Sequence, residues 1–383
     1  MSSDRINHED LKIGREILPS LGMRLRSLRH SFHHHQIIEQ SRTLVVCTCI
    51  IGDFLSYMPA LRKFTTAHRL NFDLMVSPTL RPLAETLKGV NRVFVAKSSY
   101  NRNCEQNCSE SQEIPTEYDL MVLLRIGPEA YGLIKQLKCR DVIAGDTALL
   151  RYIEHLAGCS LFHKSVKQSR ELGFEMLGLN GTDRDEFLYD LFELTDVDYF
   201  AARNLPEMAT SAKKILIHTG SGWPVKLWGN QKWAELLGRI HESGHIRFIF
   251  IGGTNVEAES FDEIRQLVRF PVYSLINRIN LRELFAVMKL SDYFIGVDSG
   301  PRNLAHYANL RSLSLLNPAA VRNFMPFDPR DVVIEKPNRF PANILNTRKR
   351  SALEEITPDD LFEGFSKLAE LQHSATASSV RAR

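Results

Sequence analysis

The sequence predicts an α/β protein made of two Rossmann-like halves in tandem. Its 383 residues exceed one ordinary hydrophobic core and suit two α/β domains of roughly 150 residues each plus extensions. From Thr43 onward, short apolar runs alternate with helical stretches, the rhythm of βαβ units in a parallel sheet. That rhythm breaks once, around Asn204-Leu205-Pro206, and then starts again at Lys213.

In the first series Leu44 to Cys49 reads as a strand, Phe54 to His68 as a helix, and Phe72 to Val76 and Arg92 to Ala96 as strands. Residues 98 to 116 are polar, with Asn101, Asn103 and Asn107, and read as a surface loop before Asp119 to Leu124 resumes the strand pattern. The stretch 182 to 210 is helical in character and stops at Pro206. The second series reads as strand Lys213 to His218, helix Gln231 to Glu242, strand Arg247 to Ile251 and helix Val256 to Val268. It continues with helix Leu281 to Leu290, strand Tyr293 to Val297, helix Pro301 to Asn309 and strand Ser312 to Leu316. The expected domains are therefore 43–205 and 212–345. A last helix falls within 356–373, opened by Thr357-Pro358-Asp359-Asp360, and 374–383 reads as a disordered tail.

Residues 1–42 stand apart as a basic amphipathic extension, with Lys12, Arg15, Arg24, Arg26 and Arg29 interleaved with leucines and isoleucines. Such a segment suits an anionic membrane surface, and equally a helix packed on its own domain or a frayed end. The run His33-His34-His35 carries no neighbouring carboxylate or cysteine at ligand spacing and receives no role.

Composition narrows the function. Hydrophobic residues make up 44% and charged residues 24%, as in a folded soluble protein, and a net charge of only +3 announces no nucleic-acid surface. The six cysteines read as reduced thiols of a cytosolic protein. Cys47 and Cys49 share a strand face, with a backbone too extended for them to bridge, and Cys104 and Cys108 lack the second pair a zinc site needs. No signal-peptide core opens the chain and no segment approaches the ~20 apolar residues of a membrane span, so the expected location is cytoplasmic.

In open parallel sheets ligands bind beyond the carboxyl ends of the strands, so the turns there carry the chemistry. Three stand out. Ile50-Ile51-Gly52-Asp53 joins the first strand to its helix and puts a carboxylate at the helix start, where a plain acidic cap is the simpler reading. His218-Thr219-Gly220-Ser221-Gly222, followed by Lys226-Leu227-Trp228, combines freed backbone N–H groups, a hydroxyl and a cation, which suits a phosphate. Its spacing is not that of a Walker A loop, and a plain glycine-rich turn is the alternative. Asp298-Ser299-Gly300-Pro301 leads into a helix whose N-terminus attracts a diphosphate through exposed N–H groups and the helix dipole.

Together these turns resemble glycosyltransferase family 9, the lipopolysaccharide heptosyltransferases. Members typically show His-Pro-Gly-Ser-Gly with Lys-x-Trp, then Gly-Gly with a downstream glutamate, then Asp-Ser-Gly-Pro-x-His-x-Ala. Here the matching residues are His218 to Gly222 with Thr219 in place of the proline, Lys226 to Trp228, Gly252-Gly253 with Glu257, and Asp298 to Pro301 with Leu304-Ala305. In the first half, Gly52-Asp53 and Pro59-Ala60-Leu61 match the family's Gly-Asp turn and Pro-Ala-Leu helix. The likeness covers roughly residues 43 to 330. One position departs: the family's histidine after Pro-x is Asn303, with His306 three residues on.

The resemblance implies a GT-B fold, two Rossmann-like domains facing across a cleft, and an inverting glycosyltransferase. Its donor would be a nucleotide sugar, usually ADP-heptose, and its acceptor a lipopolysaccharide core or related glycan at the cytoplasmic membrane face. Asp53 is then the general base, and Ser221, Lys226, Asp298, Ser299, Gly300 and Asn303 hold the donor, with Glu257 near the ribose. No Asp-x-Asp pair sits at a predicted strand end, so metal independence is expected and no cofactor beyond the donor substrate is implied. Partners would be the donor, the glycan or glycolipid acceptor and a peripheral membrane contact. Two alternatives are a GT-B-shaped nucleotide-binding partner protein that has lost transfer, and a nucleotide-sugar epimerase or hydrolase on the same architecture.

Overall fold

The computed structural model describes residues 41–96, 114–125, 137–144, 177, 191–222, 226–316, 330–336 and 352–380. The basic extension up to residue 40, the His33 run, Cys104, Cys108 and Cys159, most of the 98–116 loop and Trp223-Pro224-Val225 lie outside these residues. The chain divides into two compact units, Met1–Phe187 and Leu188–Arg383.

The first unit holds a five-stranded parallel sheet of order β3-β2-β1-β4-β5. Its strands are β1 Thr43–Cys47, β2 Phe72–Val76, β3 Val90–Val95, β4 Glu117–Arg125 and β5 Lys138–Ala144. Helix α1, Ile51–Ala67, follows β1, and the short α2, Arg81–Ala84, precedes β3. All five residues of β1 and of β2 are buried, which is why they read as near-continuous apolar runs rather than alternating ones. The polar exception, Asp73 in β2, is matched: its Oδ2 accepts from Arg92 Nη2 at 2.8 Å and from the Tyr118 hydroxyl at 3.1 Å. Burial and the Asp73 charge push the Tyr118 phenol well above its ordinary range.

Past β1 the chain bends, and Cys47 Sγ comes to 3.3 Å from Cys49 Sγ. Extended geometry would have kept these thiols apart; the contact forms where the chain leaves the strand after Cys47, and the two are not joined by a disulfide.

The second unit holds a six-stranded parallel sheet of order β11-β10-β9-β6-β7-β8. Its strands are β6 Lys213–His218, β7 Ile246–Phe250, β8 Val272–Ser274, β9 Tyr293–Val297, β10 Arg311–Leu316 and β11 Asp331–Glu335. The helices are α3 Asp196–Arg203, α4 Asn230–Glu242, α5 Asn255–Leu267, α6 Leu281–Lys289, α7 Gly300–Tyr307 and α8 Pro358–Val380. Helix α3, expected to close the first domain, belongs to the second unit: Arg282 of α6 donates to both Asp198 carboxylate oxygens, at 2.7 and 2.9 Å. Pro206 ends a helix there, but the division between units falls earlier. At the other end, α8 continues through residues expected to be a disordered tail, since Ser374 to Val380 contains neither proline nor glycine to stop it.

Trp233, Leu236, Leu237 and Ile240 of α4 pack with Ile215, Ile217, Phe248 and Phe250 of the sheet, and Leu361, Phe365 and Leu368 of α8 join the same core. Helix α8 rides so close to the sheet that a Cβ at Gly364 would lie 2.8 Å from Leu313 Cδ1 and 3.1 Å from Ile334 Cδ1. In each unit the chain order reverses beside a central strand, between β1 and β4 and between β9 and β6. Those are the switch points where open parallel sheets leave a crevice beyond their carboxyl ends.

Candidate active site

At the second switch point, β6 delivers His218 and β9 delivers Asp298, with Gly296 of β9 directly beside His218 in the register. A Cβ at Gly296 would stand 2.9 Å from the His218 carbonyl oxygen, so glycine is needed for the strands to close here. His218 is buried, and both its ring nitrogens are engaged. Nε2 lies 2.7 Å from Glu257 Oε1, and Nδ1 lies 3.1 Å from Ser299 Oγ.

Glu257 sits in the first turn of α5 and is held from two sides. Its Oε2 accepts from Gly253 N at 2.7 Å, Thr254 N at 2.9 Å and Thr254 Oγ1 at 2.9 Å, while Thr254 Oγ1 accepts from Glu257 N at 3.3 Å. This is a capping box extended by one glycine N–H. Burial alone raises a carboxyl, but the His218 bond and the backbone donors outweigh it and hold Glu257 below the usual carboxylate range. The side chain passes so near two glycines that a Cβ at Gly220 would lie 2.2 Å from Oε1 and one at Gly252 2.6 Å from Oε2. The sequence suggests that Gly220 and Gly222 free backbone N–H groups; the close contact of Gly220 is with Glu257, while Gly222 meets nothing within 4 Å. Glu257 therefore serves the protein's own turns, and a ribose would have to add to those bonds.

Helix α7 begins at Gly300, and Ser299 is its cap, with Oγ accepting from Arg302 N at 3.4 Å. Lys226 Nζ meets Asp298 Oδ2 at 2.5 Å, so the cation expected to face an anion is shared with a carboxylate of the neighbouring turn. Asp298 Oδ1 is in turn 3.9 Å from Arg302 Nη1. Arg302 is buried and bonds Asp331 Oδ2 through Nη2 at 2.5 Å and Ser314 Oγ through Nε at 2.9 Å. Ser314 Oγ donates to Asp331 Oδ1 at 2.6 Å, and His306 Nε2 is 3.3 Å from Asp331 Oδ2. Against the effect of burial, Arg302, His306 and Ser314 hold Asp331 below its ordinary value.

Lys226, Asp298, Arg302 and Asp331 thus form one chain of alternating charge that braces the turn at 298–301. Nothing in the sequence singles out Arg302 and Asp331; the partners are 29 residues apart and no spacing rule links them. His306 faces Asp331 and does not replace the family's histidine at position 303. Asn303 is buried, and its Oδ1 lacks a hydrogen-bond partner among the described residues.

The Lys226 segment is anchored behind the site. Trp228 is buried against Trp233, ring centroids 5.0 Å apart, and its Nε1 donates to Ile356 O at 3.0 Å. Ser221 is half-buried in the turn after β6.

Asp53 belongs to the first unit, one turn into α1 after β1. The N-cap is Ile50, whose side chain caps nothing, so Asp53 is not the cap itself. It is 4% exposed and lies in the first turn of α1.

Comparison with known proteins gives a consistent result. The profile described as glycosyltransferase family 9 (heptosyltransferase) matches residues 136–351. Lipopolysaccharide heptosyltransferase 3 of Escherichia coli is 26% identical over 114 residues, 30% of this chain, and the match spans only about a third of that protein, 34% of its length. Among solved structures, a family 9 glycosyltransferase of Veillonella parvula aligns with a TM-score of 0.68 at 15% identity, over 88% of this chain and 99% of that one. The E. coli ADP-heptose LPS heptosyltransferase II aligns with a TM-score of 0.65 at 16% identity, over 87% and 99%. These likenesses establish the GT-B fold. On the extent of the profile match, the chain belongs to glycosyltransferase family 9.

Proposed function

We propose that the protein transfers a sugar from a nucleotide diphosphate donor, ADP-heptose by analogy with the E. coli relative, onto a lipopolysaccharide core or related glycan, inverting the anomeric centre without a metal ion. The observation that carries this reading is the second switch point, where Lys226 and the Ser299-capped N-terminus of α7 follow the neighbouring strands β6 and β9. A diphosphate leaving group gains negative charge as the glycosidic bond breaks, and a lysine plus exposed helix N–H groups stabilise that charge. On arrival the donor competes with Asp298 for Lys226, so the cation is kept oriented in its absence.

In the same reading Asp53 accepts the acceptor's hydroxyl proton as that oxygen attacks the anomeric carbon. A carboxylate with a reference pKa of about 3.9 suffices because the attacking hydroxyl becomes acidic only late in bond formation. Ser221, Gly300 and Asn303 contact the donor, and Glu257 stands nearest the nucleoside. The protein acts at the cytoplasmic membrane face, with the basic 1–42 segment on the anionic surface. Among the described residues no helix is long and apolar enough to cross a membrane.

The test is turnover with ADP-heptose and a lipopolysaccharide-core acceptor, with anomeric analysis of the product. Asp53→Asn should lower turnover by about 10²- to 10⁴-fold while ADP still stabilises the protein against heat. A retained anomer, or a fully active Asp53→Asn variant, refutes the assignment. Stabilisation by ADP with no transfer would favour a nucleotide-binding partner protein instead.

A further inference from the structure

His218 joins two of the donor-side turns through one ring, and the hydrogen count of that ring has a consequence for binding. Ser299 Oγ owns one hydrogen and two lone pairs. One lone pair accepts Arg302 N, as the cap of α7. Glu257 Oε2 already accepts three hydrogen bonds and Oε1 faces Nε2 at 2.7 Å, so a neutral His218 carries its hydrogen on Nε2. Nδ1 is then a bare acceptor, and the Ser299 hydroxyl must turn its single hydrogen inward to it. In that state the hydroxyl at the tip of the helix offers nothing to an anion.

A protonated ring reverses this. Nδ1–H then donates to the second lone pair of Ser299 Oγ, and the hydroxyl hydrogen is released outward. Phosphate oxygens accept hydrogen bonds and donate none in the ionised form, so an anion at the α7 N-terminus is better served by the imidazolium. We propose that His218 is a proton-linked positioning residue: binding of a nucleoside diphosphate draws a solvent proton onto its imidazole and swings the Ser299 hydroxyl toward the phosphate. The inference rests on the donor-site reading above.

The surroundings fit such a role. The charged side chain facing the ring is Glu257, from α5, at 2.7 Å, and it favours the cation. Beyond Ser299, Lys226 and Asp298 bond each other and Arg302 is bound to Asp331. The strands flanking β6 present Phe250, Ile251, Gly296 and Val297 at this level, none of them titratable. By reciprocity, proton binding and anion binding strengthen each other by the same factor.

Calorimetric titration of the full chain with ADP, at about pH 8 in buffers of differing ionisation heat, reads the proton count directly. The expected result is about one more proton taken up per ADP by the wild type than by His218→Gln. Ser299→Ala, which keeps the His218–Glu257 contact, should also lose that uptake. Equal uptake in the wild type and Ser299→Ala overturns the proposal. Should His218→Gln fail to fold, ring ¹⁵N shifts of wild-type His218 decide it: a neutral Nε2–H ring unchanged by ADP overturns it, and conversion to imidazolium supports it. If ADP does not bind the wild type at all, the donor-site reading itself falls, and this inference with it.

Discussion

Replacing Gly220 by alanine is the sharpest probe of how the second unit is assembled. The new methyl would stand 2.2 Å from Glu257 Oε1, 2.3 Å from Cγ and 2.5 Å from Cδ, far inside van der Waals contact. Glu257 cannot swing aside cheaply, because His218 holds one oxygen and three cap donors hold the other. Overpacking of this kind costs about 1–3 kcal/mol, and a charge-assisted hydrogen bond given up to relieve it about 1.5–3 kcal/mol. We expect a net loss of about 1–3 kcal/mol, since relaxation takes one route or the other. For a unit of this size that is a fall in Tm of roughly 2–12 °C.

Gly222→Ala in the same turn meets nothing within 4 Å and should change stability by less than about 0.5 kcal/mol. Glu257→Ala removes the obstacle, so the double variant Gly220→Ala/Glu257→Ala should cost little more than Glu257→Ala alone. Thermal and urea unfolding of the four proteins measures all of these. Additive costs in the double variant, or a Gly220→Ala protein as stable as Gly222→Ala, would refute the packing argument.

Arg302→Leu leaves Asp331 and Asp298 without their shared buried cation and should destabilise by about 3–5 kcal/mol in urea unfolding, whereas Arg302→Leu/Asp331→Leu should recover part of that loss. The carboxyl of Asp198 is lowered to about 2, chiefly by the Arg282 hydrogen bonds, with Thr195 adding to them against the effect of burial. A carboxyl whose folded value is depressed lends stability above its unfolded value, and that stability is lost as pH falls toward the folded value. For Asp198 the window runs from about pH 4 down to about 2 and holds at most roughly 2 kcal/mol, so Asp198→Asn should flatten the acid limb of the stability profile there while weakening the protein at pH 7. Lys226→Met should weaken ADP binding by about tenfold or more in calorimetry, and an unchanged affinity would remove the lysine from the donor site.

The buried strands are legible in the sequence because burial on both faces writes a near-continuous apolar run. Phe72 to Val76 and Tyr293 to Val297 match their expected bounds to the residue for that reason. The strands that escape a sequence reading are edges: β5 carries Lys138, Arg140 and Asp141 among its seven residues, β8 is three residues long, and β11 ends in a glutamate. Helix α1 starts three residues before the expected Phe54 because Ile50, its N-cap, carries no polar signal. Local motifs locate the turns at 218–226 and 298–301, which follow adjoining strands. They do not reveal what those turns do to one another. The contacts of His218 with Glu257 and Ser299, and of Arg302 with Asp331, join residues far apart in sequence, and only the sheet order brings them together.

The bond from the Trp228 indole to the Ile356 carbonyl spans 128 residues. Lys232 reaches the same carbonyl at 3.1 Å and that of Glu354 at 2.6 Å. During synthesis every strand of the second sheet leaves the ribosome before Ile356 does. The Lys226 segment beside Trp228 is therefore set in place late, once the chain has returned across a finished sheet.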